Sequence, residues 1–433
     1  MLSPGRRRAV VPLICAVALL SAAACGQPAG PSASSSAPQD PTSTTLPPSP
    51  GPSASSAVPT GSATTGRVRP PSPSPSAGPA STVTRVQSAC GRFTSRLSLD
   101  EQVGQLFMVG VSSSGLPDRD AQVVAEGRVG SVILLGNSRT GAAAITRLTE
   151  AVRGAADQPG GVQAMLTVDQ EGGQVQRLRG PGFDRMPSAR RQAGMSESEL
   201  AREARSWGRQ LEEAGVDANL APVADVVPRD LESVNQPIGE LDRGYGPDVE
   251  VVAGRVTAFV RGMDEAGIAT AVKHFPGLGR VRGNTDYATR VVDRSTERGD
   301  PDLGGFRAGV QSGVDMVMVS SAYYSQIDAD HRAAFSRVVI EEMLRGDLAF
   351  EGVVISDDLA ARALSDVPVG QRARRFLEAG GDLAIVGNPR LALSMITTVR
   401  SEARSDAAFA SEVRAKATRV IALKARRGLA DCG

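Results

Sequence analysis

Along most of the chain, short apolar runs alternate with stretches whose apolar positions recur every three to four residues. The runs fall at 106–109, 132–135, 165–168, 218–221, 270–273, 316–319, 353–356 and 383–386. Near-continuous apolar character over strand length is the pattern of parallel strands covered on both faces. The intervening stretches, for example 197–214 and 249–266, read as amphipathic helices. Several of these helices run into a glycine just before the next strand, as in Glu213-Ala214-Gly215, Glu265-Ala266-Gly267 and Glu378-Ala379-Gly380. Glycine there supplies the left-handed conformation that ends a helix. Strand and helix alternate about eight times over roughly 340 residues, which predicts an α/β fold of the (β/α)8 TIM-barrel type. An open doubly wound sheet suits a smaller strand count, and no glycine-rich dinucleotide fingerprint follows the first run.

The N-terminal region breaks this pattern and divides the chain. Residues 26–85 are mostly Pro, Ser, Thr, Ala and Gly. Such a segment buries too little apolar surface to offset its ordering entropy, so it is expected to be a disordered tether. Ahead of it, residues 1–25 carry Arg6, Arg7 and Arg8, then an apolar run, then small residues ending at Cys25. This is a targeting segment, too short for a comfortable permanent span. Its end resembles a bacterial lipoprotein cleavage box, which implies lipidation of Cys25. The alternative is an ordinary secretory signal with an incidental cysteine. Acyl chains contribute roughly 0.8 kcal/mol per buried CH2, so more than one chain holds a protein stably on a membrane. The single catalytic domain is then expected over 86–433, lipid-anchored at the outer face of the cytoplasmic membrane or in the cell envelope.

Composition narrows the partners. The formal net charge is +1 and aromatics make up 3% of the chain. Neither a basic excess to neutralise phosphates nor a supply of stacking platforms exists, so nucleic acid is excluded as the main partner. Only two histidines occur, His274 and His331, too few for the usual multi-histidine metal site. No metal and no organic cofactor are implied. Besides Cys25 and Cys15, which lies in the signal, the cysteines are Cys90 and Cys432 at the two ends of the foldable region. An exported chain meets oxidising conditions, and the ends of a closed barrel lie close together. A Cys90–Cys432 disulfide is therefore expected.

The chemistry collects at the C-terminal ends of the runs, where a TIM barrel forms its active site. The third run leads into Asp169-Gln170-Glu171-Gly172-Gly173, and the fourth toward Asp225. The fifth ends in Lys273-His274-Phe275-Pro276-Gly277 and the seventh in Ser356-Asp357-Asp358. A single carboxylate at a strand end often does no more than cap the next helix. Several converging on one mouth offer the acid, base or nucleophile of glycosidic cleavage.

Four stretches carry a family resemblance, covering most of 97–429. Asp169 through Arg177 is similar to a D-x-E-G-G-x-V-x-R segment. Pro237-Ile238-Gly239 with Arg243-Gly244-Tyr245-Gly246 is similar to an I-G…R-S-[FY]-G loop. Lys273 through Gly279 is close to K-H-F-P-G-H-G, and Gly352 through Asp357 to G-x-[VI]-x-[ST]-D. In this order they resemble family-3 glycoside hydrolases, in particular the single-domain β-N-acetylhexosaminidases. The resemblance implies that Asp357 is the nucleophile of a retaining mechanism with a covalent glycosyl-enzyme. It implies that Lys273, His274 and Asp169 hold sugar hydroxyls. Arg177 and Arg243 would bind hydroxyls or support the carboxylates.

One departure matters. The family's acid/base is a histidine in a D-S-H motif on the loop after strand five. Read without gaps, this chain has Asn284-Thr285-Asp286 there, and Leu278 replaces the second histidine of K-H-F-P-G-H-G. Asp286 is then the candidate acid/base, provided burial raises its pKa. An alignment with two residues inserted matches Asp286 to the motif's Asp and leaves Ala288 in the histidine's place; Glu171 or His331 would then have to supply the acid.

The expected function is removal of terminal N-acetylglucosamine from cell-wall-derived glycans, peptidoglycan fragments being the expected substrate. Another β-glycosidase of the same family is a second reading. A non-catalytic sugar-binding lipoprotein is a third, motivated by the missing loop histidine and opposed by the presence of Asp357.

Overall fold

The computed structural model describes residues 82–156 and 158–433. The signal segment 1–25, with Cys25, and residues 26–81 of the expected tether lie outside them. Eight parallel strands form one sheet: β1 Phe107–Ser112, β2 Ser131–Leu135, β3 Met165–Val168, β4 Ala218–Asn219, β5 Ala269–Phe275, β6 Met316–Val319, β7 Val353–Ser356 and β8 Ala384–Val386. Each strand from β1 to β6 pairs with the next in sequence, and β8 pairs with β1. A parallel bridge between Ile355 and Leu383 closes the ring, giving the (β/α)8 barrel that the apolar runs predict.

The strands fall where the runs do, with two differences. β1 and β5 continue past their runs, to Ser112 and Phe275. β4 is two residues long; past it Leu220 N still donates to Val168 O and the Ala221 and Pro222 carbonyls accept from Ala271 N and Lys273 N, and a single bridge follows between Val223 and Lys273. The glycines after the helices hold the expected left-handed backbone, with φ of 76° at Gly215, 79° at Gly267 and 108° at Gly380. Residues 82–85, expected as tether, are the start of a helix, Thr82–Thr94, that packs along the C-terminal helix Ala407–Arg426. Such a tertiary contact is invisible to local composition.

Period-two alternation sorts each strand into two faces. Outward residues such as Phe107, Val132, Leu166, Val272, Val317 and Val354 are buried under the surrounding helices. Inward residues form a separate interior: Met108, Ile133, Met165, Ala218, Ala269, Ala271, Met316, Met318, Val353, Ile355, Leu383 and Ile385. The same parity carried to the strand ends aims particular residues at the barrel mouth. Asp169 follows Met165 and Thr167, Lys273 follows Ala269 and Ala271, and Asp357 follows Val353 and Ile355.

The opposite end, the barrel floor, is closed by buried ion pairs. Asp217, Asp315 and Asp382 stand at the entrances to β4, β6 and β8. Each accepts a hydrogen bond from a backbone N–H of the preceding strand: Leu166 at 2.7 Å, Thr270 at 3.3 Å and Val354 at 2.9 Å. Each is also bound by arginines from the helical layer: Arg153 for Asp217, Arg426 and Arg427 for Asp315, Arg345 and Arg419 for Asp382. At the entrance to β2 a lysine does the corresponding work: Lys424 Nζ donates to Gln105 Oε1 at 2.7 Å and to the Gly130 carbonyl at 2.6 Å. On the same side, Cys90 and Cys432 form a disulfide. It joins the first described helix to the chain end over a small cluster that includes Phe93, Leu97, Val162 and Ile421.

Candidate active site

The mouth of the barrel holds a cavity of about 630 Å3, within the range of small-molecule sites. The even-numbered strands supply its apolar floor, through Ile133, Leu220, Met318 and Ile385; the odd-numbered strands supply charge, through Asp169, Lys273 and Asp357.

Lys273 is the hub. It is 2% exposed, and its Nζ lies 2.6 Å from both Asp169 Oδ1 and Glu171 Oε1. Burial by itself would lower its pKa, yet the two carboxylates hold it above its ordinary value. Glu171 is gripped from the other side by Arg243, whose Nε and Nη2 each donate at 2.8 Å. Burial would raise the Glu171 carboxyl, but the charges of Arg243 and Lys273 hold it far below the usual carboxylate range. A carboxylate so held has no proton to give. Arg243 is fixed further by donating to the Pro237 carbonyl at 2.7 Å.

His274 sits in the same array. Its Nδ1 is 2.8 Å from Asp225 Oδ2, placed to donate to it. Nε2 lies 3.4 Å from Arg243 Nη2. Asp225 also accepts from the backbone N–H groups of His274 and Leu278, at 3.1 and 2.8 Å. Arg177 lines the cavity and donates to Asn137 Oδ1 at 3.3 Å.

The loop after β5 is pinned in place. Asn235, fully buried, donates to the carbonyls of Leu278, Gly279 and Val281 and accepts from Ile238 and Gly239. A Cβ at Gly279 would fall 1.7 Å from the Val226 carbonyl oxygen, so only glycine fits this close approach. Farther along, Thr285 O accepts from Ala363 N at 3.0 Å and Asp286 O from Arg362 N at 3.4 Å. These bonds moor the loop to the segment after β7.

Asp286 thereby lines the cavity together with Asp357, as do Asn284, Thr285 and Tyr287; Ala288 does not line it. Asp286 is itself exposed at the rim, with protein crowded around its carboxyl on the cavity side. Crowding by surrounding protein, followed by the negative charge of Asp357, pushes its carboxyl up to about 6. Asp357 is half-buried, and its Oδ1 accepts from Asp358 N at 2.8 Å. Asp358 lines the cavity but is tied back by the N–H groups of Gly387 and Ala360, both at 2.8 Å.

The structure thus brings Asp169, Arg177, Arg243, Lys273, His274, Asp286 and Asp357 to one cavity. His331 is elsewhere, 60% exposed beside Asp328 and lining a different depression. Of the other two groups considered as the acid, Glu171 is locked as a carboxylate and His331 is remote. Sequence reasoning missed how much Glu171, Asp225 and Asn235 organise the site. The first lies inside the D-x-E-G-G segment and could have been found there. Nothing local marks Asn235. Among the described residues, no group of three or more His, Cys, Asp or Glu side chains is placed to hold a metal ion.

The chain is similar to known glycoside hydrolases. Residues 98–423 match the Glycosyl hydrolase family 3 N terminal domain. The β-hexosaminidase of Stenotrophomonas maltophilia strain K279a is 32% identical over 315 residues, 70% of this chain and 90% of that protein. The crystal structure of the β-N-acetylhexosaminidase of Beutenbergia cavernae superposes with a TM-score of 0.75 at 41% identity, covering 76% of this chain and 99% of that one. A family 3 β-N-acetylglucosaminidase from Paenibacillus sp. gives a TM-score of 0.69 at 29% identity, covering 77% of this chain and 63% of that one.

Proposed function

The chain belongs to glycosyl hydrolase family 3 and is a β-hexosaminidase acting on a glycan; on that premise we propose that it removes terminal N-acetylglucosamine with retention, Asp357 serving as nucleophile and Asp286 as acid/base. Asp357 attacks the anomeric carbon as Asp286 gives its proton to the departing oxygen. Water then attacks the same carbon, Asp286 takes a proton from it, and the Asp357 ester bond breaks. Lys273, His274, Asp169 and Arg243 hold the sugar with donors and acceptors that are already fixed before it arrives.

The observation that carries the reading is the raised Asp286 carboxyl facing the same cavity as Asp357. Part of that elevation comes from the charge of Asp357. When Asp357 becomes an ester its charge vanishes, and Asp286 becomes more acidic at the moment it must act as base. One carboxyl can therefore serve both half-reactions.

We further propose that the natural glycans are peptidoglycan fragments. In the same reading Cys25 bears the lipid anchor, and residues 26–81 are a spacer at the outer face of the cytoplasmic membrane. The position of Cys25 after a basic and then an apolar segment supports this.

The test combines a label and a leaving-group series. A 2-fluoro N-acetylglucosaminyl donor is expected to leave a mass adduct on Asp357. Asp286→Asn is expected to slow aryl glycosides of poor leaving groups far more than those of good ones. Equal, small losses across the series would remove Asp286 from the mechanism; absence of both adduct and turnover would favour a sugar binder.

A further inference from the structure

Tyr287 is the large apolar side chain left most open among the described residues, 77% exposed. An isolated exposed aromatic on a plain surface needs no explanation; the position of this one is informative. It follows Asp286 directly and lines the cavity. It also lines an adjoining depression of about 490 Å3. The two hollows share Asp286, Tyr287 and Asp358, and the second continues outward past Ala360, Arg362 and Ser365.

The backbone that carries the ring is fixed. Tyr287 N donates to Asn284 O at 3.2 Å, and the two preceding carbonyls are held by Arg362 N and Ala363 N. The backbone beneath the ring is thus ordered before anything binds, so only the side chain's own rotation is left to be lost on contact.

A proton donor must lie beside the oxygen that joins the cleaved sugar to its leaving group. A hollow that starts at that donor and opens outward lies on the leaving-group side. A pyranose chair presents one face of C–H bonds, which packs against the negative face of an aromatic ring. We infer that Tyr287 is the stacking platform of a leaving-group subsite, and that this subsite takes a pyranose ring by its C–H face. The inference rests on the hydrolase reading, with Asp286 between the two sugars.

The experiment compares two substrates with the same transferred sugar. One is the β-linked N-acetylglucosamine disaccharide, whose leaving group is a pyranose. The other is N-acetylglucosaminyl fluoride, whose leaving group is too small to stack. In Tyr287→Ala the ratio of kcat/KM for disaccharide over fluoride is expected to fall about tenfold, the size of one good aromatic contact. In Tyr287→Phe the ratio is expected to hold, because the ring remains. An unchanged ratio in Tyr287→Ala, or Tyr287→Phe falling as far as Tyr287→Ala, would overturn the subsite while leaving the hydrolase intact. A wild-type enzyme that turns over neither substrate would overturn the hydrolase reading and the subsite with it.

Discussion

All three lysines of the chain are buried, and the two most deeply buried, Lys273 and Lys424, stand at opposite ends of the barrel in surroundings that differ in kind. Lys273 at the mouth has carboxylates of Asp169 and Glu171 at 2.6 Å, which hold it charged against the effect of burial. Lys424 at the floor has two neutral acceptors, Gln105 Oε1 and Gly130 O. Burial pushes it down to about 7, with only partial opposition from Asp217. Equal burial gives opposite shifts, because the sign depends on whether charge is answered by charge. The floor can settle for a neutral amine, since its task is to close the barrel. The mouth keeps a dense, paired array, whose donors and acceptors are ready to be shared with a ligand.

The widest separation of the two ends should come from Asp357→Ala. Its kcat/KM on an aryl N-acetylglucosaminide is expected to fall about ten-thousand-fold or more, while the urea midpoint moves little. A variant that keeps most of its activity would sink the nucleophile assignment. Lys273→Met comes next. It strips Asp169 of its cation and leaves Glu171 with Arg243 alone, and should cost about 3 kcal/mol of stability together with most of the turnover. Stability equal to wild type in chemical denaturation would show that the pairing at the mouth is not what holds it.

A pH profile sharpens the comparison at the mouth. Asp286 must be protonated to act as acid, and its carboxyl lies near 6. For poor leaving groups kcat/KM should therefore fall about tenfold per pH unit above that value. Asp286→Asn should erase this limb. If the limb persists in the variant, another group is responsible for it.

At the floor side, removal of the disulfide by Cys90→Ser with Cys432→Ser should cost about 2–4 kcal/mol and leave kcat/KM unchanged. A matching loss of activity in the folded protein would mean that the clip also shapes the mouth. The smallest effect is expected from Lys424→Met, about 1 kcal/mol near neutral pH, since two hydrogen bonds are lost while an expensive burial is relieved. Here the direction is more informative than the size. The folded pKa of Lys424 is near 7 against 10.5 for the free side chain, so between those values the unfolded chain binds more protons. Wild-type stability relative to Lys424→Met should thus rise with pH from 7 toward 10, by at most about 1.4 kcal/mol per pH unit. Flat behaviour across that window in paired urea titrations would show that Lys424 stays charged. Glu171 acts in the opposite region: its depressed pKa stabilises the fold above the ordinary glutamate range and is lost as acid protonates it.

Much of the architecture was legible in the chain. Near-continuous apolar runs mark parallel strands, because both faces of such a strand must be dry. Glycines mark the helix ends, because only they take positive φ without strain. The parity of Asp169, Lys273 and Asp357 on their strands follows from the pleat. The floor was not read, although Gly215-Val216-Asp217, Gly313-Val314-Asp315 and Gly380-Gly381-Asp382 repeat one pattern. Each Asp finds its arginines on helices distant in sequence, so the local pattern alone carries no meaning.

Local order along the chain thus determined which residues could reach the mouth. Only the closed barrel decided which of them met, and in what protonation state. Glu171 and Asp286 are both carboxyls at that mouth, and nothing in their identity separates them. Arg243 and Lys273 surround one; Asp357 stands near the other, and the first is held ionised while the second keeps its proton to higher pH. Coulomb interactions act over a few ångströms of space regardless of sequence separation, and those distances exist only once the fold has formed.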